Sequence, residues 1–149
     1  ENAKARYWSI CLGSVRNTRS YYSFYDKKIQ YPEGEKITVV VCSKNNPQID
    51  AIRELAEGIR YSYLIEWDET MKDHENKPIG DVMTILYRNI LPDKTWEYSM
   101  ANLTPVPYGD PYNSVTDPEN QYAHMALGDY GPLGIKYTTQ QFLELRNVQ

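Results

Sequence analysis

The densest group of side chains that could do chemistry is a set of acids around a tryptophan. Glu66, Asp68 and Glu69 flank Trp67 at the end of an apolar run. Alternation along an extended chain puts Glu66 and Asp68 on one face. Two carboxylates beside an aromatic ring are typical of glycosidases, whereas a strand end rich in acids is more often only a solvated surface.

A histidine in the following loop is the other candidate for catalysis. His74 lies between two acidic residues, but neighbours on an extended loop point apart, and the second histidine, His124, is distant in the sequence. With Glu66 and Asp68, His74 makes a metal-assisted or acid/base hydrolase one alternative function. No catalytic motif of a known class is present, so the sequence assigns no catalytic residue, metal ligand or cofactor.

Aromatic residues support a second alternative, because the chain has 14 Tyr against 2 Phe. Tyrosine joins a large apolar ring to a hydroxyl that needs a partner, so it suits half-buried sheet faces, interfaces and sugar-contacting surfaces. The simpler interpretation is that most tyrosines line the sheets. A carbohydrate- or small-ligand-binding module would use as stacking residues Trp67, Tyr61, Tyr63, Tyr108 and Tyr112.

The two cysteines, Cys11 and Cys42, lie on different strand-like runs. A disulfide between neighbouring strands, with Cα atoms within about 7 Å of each other, would fit an oxidising compartment. Two buried free thiols would instead behave as small apolar residues. Neither cysteine lies in a Cys-x-x-Cys motif or beside a histidine, which argues against redox catalysis and zinc binding.

Composition excludes several functional classes. The net charge is −4, from 16 basic and 20 acidic residues that are intermixed, so there is no basic footprint for nucleic acid. No apolar run approaches the roughly 18–20 residues that span a bilayer, and no signal peptide is visible. The 149 residues, of which 41% are hydrophobic, are expected to form a single globular domain, residues 1–149.

Five runs of β-branched and aromatic residues, separated by turn residues, predict the strands 6–12, 20–25, 36–43, 60–67 and 82–90. Helical spacing and end signals predict helices at 47–58, 93–101 and 138–146, the last with a capping box of Thr138 and Gln141. The fold class is therefore mainly β: an antiparallel β-sandwich with two or three peripheral helices.

Alternation within each run predicts which side chains face the core. Thr38 and Arg88 are expected to point outward. The side chains expected to point inward are Trp8, Ile10, Val39, Val41, Leu64, Met83, Ile85 and Tyr87.

Four motifs in order resemble the C-terminal part of exported two-domain proteins of unknown function. They are Arg6-Tyr-Trp-Ser-Ile-Cys, Ile37-Thr-Val-Val-Val, Ile85-Leu-Tyr-Arg-Asn-Ile-Leu-Pro92 and Met125-Ala-Leu-Gly-Asp-Tyr-Gly-Pro132. The resemblance implies a jelly-roll-like β-sandwich that follows another β-rich domain, and an exported setting that is periplasmic, cell-surface or extracellular. The segments 47–58 and 68–80 depart from the family pattern, and the family implies no reaction.

The function expected from these observations is a non-catalytic, exported structural or interaction domain. Its partner would be a second β-rich domain or a protein subunit, and the assembly could be oligomeric. The first predicted strand begins close to the first residue, which suggests that a leader or a preceding domain was removed or that the chain adds to a partner's sheet. The proline- and tyrosine-rich segment 102–121 offers rigid aromatic contacts for such docking.

Overall fold

The structure, a computed structural model, describes residues 7–15, 19–32, 34–80, 82–90, 95–97, 99, 102, 127–128 and 131–147. This part of the chain is mainly β, as predicted, and its strand bounds are close to those expected from the sequence. Its strands and α-helices are, in chain order, β1 (Tyr7–Ser14), β2 (Ser20–Tyr25), β3 (Thr38–Ser43), α1 (Ile49–Gly58), β4 (Ser62–Trp67), β5 (Met83–Ile90) and α2 (Thr139–Glu144).

The first sheet has three strands in the order β2-β1-β5. β1 and β2 are antiparallel, with Ile10 opposite Phe24, and their register shifts between Leu12 and Gly13. A Cβ atom at Gly13 would lie 2.8 Å from the carbonyl oxygen of Arg19, so only glycine fits this close approach of two strands. The expected antiparallel sheet is therefore present.

The second sheet differs from the mostly antiparallel pairing that the sequence predicts. β3 and β4 run parallel, from Thr38 opposite Ser62 to Ser43 opposite Trp67. Parallel strands cannot be joined by a tight hairpin and need a crossover connection, which α1 provides between them. The sequence predicted this helix but not its role as the crossover of a strand–helix–strand unit.

α1 lies against the second sheet through its apolar face. Ile52 and Ala56 form a buried cluster with Val40 of β3. Phe142 and Leu143 of α2 pack against the same cluster. The N-terminus of α2 carries the predicted capping box, in which the Thr138 hydroxyl accepts from the backbone N–H of Gln141 while the Gln141 side chain accepts from the backbone N–H of Thr138.

The predicted inward faces are wrong for several strands. In β3 the buried valine is Val40, not Val39 or Val41. In β4 Ile65 and Trp67 are buried on one face, while Leu64, predicted to point inward, packs on the other face against the cluster under α1. Ile85, expected in the core, is 58% exposed. The face assignment assumed one solvated face per strand, but α1 covers one face of β3 and β4 while aromatic residues of β2 contact the other. Thr38 and Arg88 are exposed as predicted.

The chain divides into two compact units. One unit comprises residues 9–86 and 138–149, and the other comprises residues 1–8 and 87–137. Most of the second unit lies outside the described residues, including most of the predicted helix 93–101, of which Thr95–Glu97 is a turn. No helix in the described part of the chain is long and apolar enough to cross a membrane.

Candidate functional site

Trp67 is a core residue, not an exposed stacking platform. Its side chain is 1% exposed, and its indole Nε1–H donates to the carbonyl oxygen of Gly80 at 2.7 Å. The ring of Tyr22 lies 5.6 Å away between centroids, and that of Tyr21 meets it edge-on at 6.3 Å. The sugar-stacking interpretation therefore does not apply to Trp67, because no ligand can reach a ring that β2 covers.

The other predicted stacking residues have different surroundings. Tyr63 is half-buried, and its ring stacks on Phe24 with centroids 4.4 Å apart. The Arg60 guanidinium lies 4.7 Å from the ring centroid of Tyr61, and its Nη2 donates to the Tyr61 hydroxyl at 2.9 Å. Tyr108 and Tyr112 lie outside the described residues.

Glu66 is held by an arginine of α1. The Arg53 guanidinium donates to both carboxylate oxygens, at 2.6 and 2.9 Å. These hydrogen bonds favour the ionised form, and they lower the pKa of Glu66 despite the opposing effect of burial. The sequence did not suggest this pair, because Arg53 reaches Glu66 only when α1 crosses over β4.

The two acids that follow β4 are also held in the ionised form. Asp68 accepts from the Thr70 hydroxyl at 2.6 Å and from Lys44 Nζ at 3.1 Å, and these contacts lower its pKa. Glu69 accepts from the Asn45 amide at 2.9 Å, and this contact is the main cause of its lowered pKa. A carboxyl that acts as a general acid needs a raised pKa, so this arrangement does not favour acid/base hydrolysis.

His74 contacts the acid beside it in its own loop. Its Nε2 lies 3.8 Å from a carboxylate oxygen of Glu75. Among the described residues, no group of three or more His, Cys, Asp or Glu side chains is arranged to bind a metal ion. The metal-assisted alternative therefore gains no support from the described part of the chain.

The cysteines are not on neighbouring strands. Cys11 lies on β1 of the three-stranded sheet and Cys42 on β3 of the two-stranded sheet, and both thiols are free. The prediction that the two cysteines lie on neighbouring strands is wrong, because β3 pairs with β4 instead of joining the sheet of β1. Burial, together with the nearby charge of Glu66, raises the pKa of the Cys42 thiol, which makes it a poor nucleophile near neutral pH.

Two surface cavities adjoin β4. A cavity of about 510 Å³ lies on the side of α1 and is bordered by Arg53 and Glu57. A cavity of about 410 Å³ lies on the side of β2 and is bordered by Tyr21, Tyr22 and Lys28. Both cavities share the lining residues Tyr63, Leu64 and Glu66. Both cavities therefore adjoin β4, one on the side of α1 and one on the side of β2.

The hydrogen bonds of β4 show which of its backbone groups face away from β3. The carbonyl oxygens of Tyr61 and Trp67 accept from the N–H groups of Thr38 and Lys44, at 3.0 and 2.8 Å. In a parallel ladder every second residue of a strand bonds to a given neighbour. Ser62, Leu64 and Glu66 therefore turn their backbone N–H and C=O groups outward.

A tyrosine limits the length of this outward-facing edge. The next outward N–H, that of Asp68, donates to the hydroxyl of Tyr22 at 3.1 Å. Within the described residues, no strand pairs with β4 on this side. We call the outward backbone groups of Ser62, Leu64 and Glu66 the β4 edge. The sequence missed it, although a strand, a helix and a strand of these lengths in succession are typical of a parallel pair.

No protein-family model, curated protein or solved structure matches this chain.

Proposed function

We propose that this chain is a non-catalytic structural or interaction domain that docks another protein domain or subunit. The observation that carries the proposal is the β4 edge, whose backbone groups pair with no strand among the described residues and lie between two cavities. An unpaired strand edge is a template for pairing with another chain. Backbone pairing at such an edge is also a recurrent mode of recognition.

The side chains of β4 do little to protect this edge against pairing. Proteins commonly block an edge with proline, lysine, a bulge or an inward-pointing charge. Ser62, Leu64 and Glu66 include no proline or lysine, and their register with β3 has no bulge. The charged residue of the β4 edge, Glu66, is engaged by Arg53 across the face of the sheet. The regular register of β4 with β3 is uninterrupted from Thr38 to Ser43.

The resemblance of the four sequence motifs to exported two-domain proteins suggests where the domain would act. In that setting the chain is an exported, jelly-roll-like module, and its partner is a second β-rich domain or a subunit. The ionised state of Glu66, Asp68 and Glu69 supports a binding role over an acid/base one.

Light scattering or analytical ultracentrifugation of the natively isolated protein tests the proposal. We expect either a complex with a second chain or a self-associated form. The proposal is refuted by a monodisperse monomer without a partner chain at concentrations up to about 1 mM.

A ligand-binding module is the second candidate function, and the cavity on the side of β2 favours it. Tyr21, Tyr22 and Tyr63 border this cavity of about 410 Å³, and tyrosine rings with nearby hydroxyls suit sugars and small aromatic ligands. Titration with a panel of mono- and oligosaccharides, followed by NMR, tests this function. Shifts confined to these tyrosines, and lost in Tyr63→Ala, would support it.

A further inference from the structure

We infer that the β4 edge pairs with the β4 edge of a second copy of this chain, in antiparallel orientation about a two-fold axis. The result is a continuous four-stranded sheet in the order β3-β4-β4-β3. This inference rests on the proposed docking function and names its partner.

The backbone of the β4 edge is self-complementary. A two-fold axis beside Leu64 places this residue opposite Leu64 of the second copy, and it places Ser62 opposite Glu66. All three residues turn their N–H and C=O groups outward, so each facing pair can exchange two hydrogen bonds. Glu66 meets a serine rather than another Glu66, which avoids the cost of like charges directly opposite each other.

The charges of α1 are complementary under the same symmetry. Arg53 lies level with Glu66, since Arg53 Nε is 2.6 Å from Glu66 Oε1. The other end of α1 lies level with the start of β4, since the Ser62 hydroxyl donates to the Ala56 carbonyl at 2.5 Å. Glu57 follows Ala56 and borders the same cavity as Arg53. Because Ser62 faces Glu66 of the second copy, Glu57 of each copy faces Arg53 of the other.

Both Glu57 and Arg53 have polar groups that are available for this contact. Glu57 is exposed, and in the described part of the chain it has no ion pair. Arg53 uses Nε and Nη2 for Glu66 and Nη1 for Asp50. A guanidinium has five N–H donors, so two remain for a carboxylate of the second copy. An interface related by a two-fold axis forms this contact twice.

The experiment compares the intact chain with two charge variants of α1. Sedimentation equilibrium from about 1 µM to about 1 mM covers the affinity range of weak and moderate dimers. Glu57→Lys puts a lysine opposite Arg53 of the second copy, and we expect it to raise the dimer Kd about tenfold or more. Glu54→Lys is the matched control. It makes the same charge change on the same helix, but its carboxylate contacts Arg146 of the C-terminal segment, at 3.1 Å.

Amide hydrogen exchange followed by NMR supplies a readout at the backbone. The N–H of Leu64 should exchange quickly in dilute protein and become protected as the concentration rises. The N–H of Ile65, which faces β3, should stay protected at every concentration. This readout separates pairing at the β4 edge from dimerisation elsewhere.

The possible outcomes distinguish this inference from the proposed function. A dimer weakened by Glu57→Lys but not by Glu54→Lys, with concentration-dependent protection of Leu64, supports both. A dimer whose Kd is unchanged by Glu57→Lys, or in which the Leu64 N–H stays unprotected, overturns the inference. Docking at another surface then remains open. A chain that stays monomeric up to about 1 mM also overturns the inference. In that case the proposed function survives only if the native protein carries another partner chain.

Discussion

Replacing Trp67 by phenylalanine distinguishes a core residue from a ligand platform. The indole is buried, and its Nε1–H donates to the Gly80 carbonyl at 2.7 Å. Phenylalanine retains an aromatic ring but lacks this donor and fills less space. If Trp67 were an exposed platform, Trp67→Phe would alter ligand affinity and leave stability unchanged. Because the residue is buried, we expect a loss of stability instead.

The size of the loss follows from two contributions. Leaving a carbonyl without its donor costs about 1–3 kcal/mol, and the lower end applies because Gly80 is half-buried and water can reach it in part. The smaller ring forfeits burial of about two methylene equivalents, or roughly 1–2 kcal/mol at about 0.8 kcal/mol each. The free energy of unfolding should therefore fall by about 2–3 kcal/mol.

Urea unfolding followed by circular dichroism measures this effect. With a slope of about 1–3 kcal/mol per molar urea for a small domain, the midpoint should fall by about 1–3 M. Tyr61→Phe is the control, because it removes one hydroxyl that contacts the exposed Arg60, and its midpoint should not change. A Trp67→Phe midpoint equal to that of the unmodified protein would refute the buried placement of Trp67.

Core packing, ionisation and helix capping give the remaining predictions. Ile52→Ala should lower the free energy of unfolding by about 2–5 kcal/mol, because Ile52 packs on Val40 beneath α1; a negligible loss in urea unfolding would contradict that packing. The lowered pKa of Glu66 stabilises the fold above the unfolded pKa near 4.3, and this contribution disappears as the pH falls further. The urea midpoint should therefore drop on acidification below about pH 4.3, less steeply in Glu66→Gln, and identical slopes in both proteins would exclude the effect. Thr138→Ala removes the cap of α2 and should cost about 1 kcal/mol, so an unchanged thermal midpoint would show that the cap is not needed.

Secondary structure was predictable because its signals are local. The runs that became β2 and β4 were recognisable from tyrosine, β-branched residues and bounding turns. The α1 helix was recognisable from its apolar spacing and from Gly58 at its end. The capping box of Thr138 and Gln141 was also readable, since both residues act within one helical turn. These features depend only on residues a few positions apart.

The candidate site, the β4 edge, was not predicted, although the sequence singled out side chains of the same strand. The sequence directed attention to β4 and the residues after it, and the structure has its two cavities beside that strand. The roles changed because partners from other elements determine them. Trp67 is covered by β2, and Glu66 is paired with Arg53 of α1. None of these partners is near in sequence to the residue whose role it alters.

By itself, the sequence determined the five extended segments and the helices α1 and α2, and it argued against nucleic-acid binding through its charge distribution. Only the tertiary structure decided that β3 and β4 are parallel, that Val40 rather than Val39 faces the core, and that Cys11 and Cys42 belong to different sheets. The physical reason is that alternation has a period of two, so a shift of one residue exchanges the two faces of a strand. The elements that pack on the strand decide which side chains are buried on each face. Here they are a helix on one side and aromatic residues of β2 on the other.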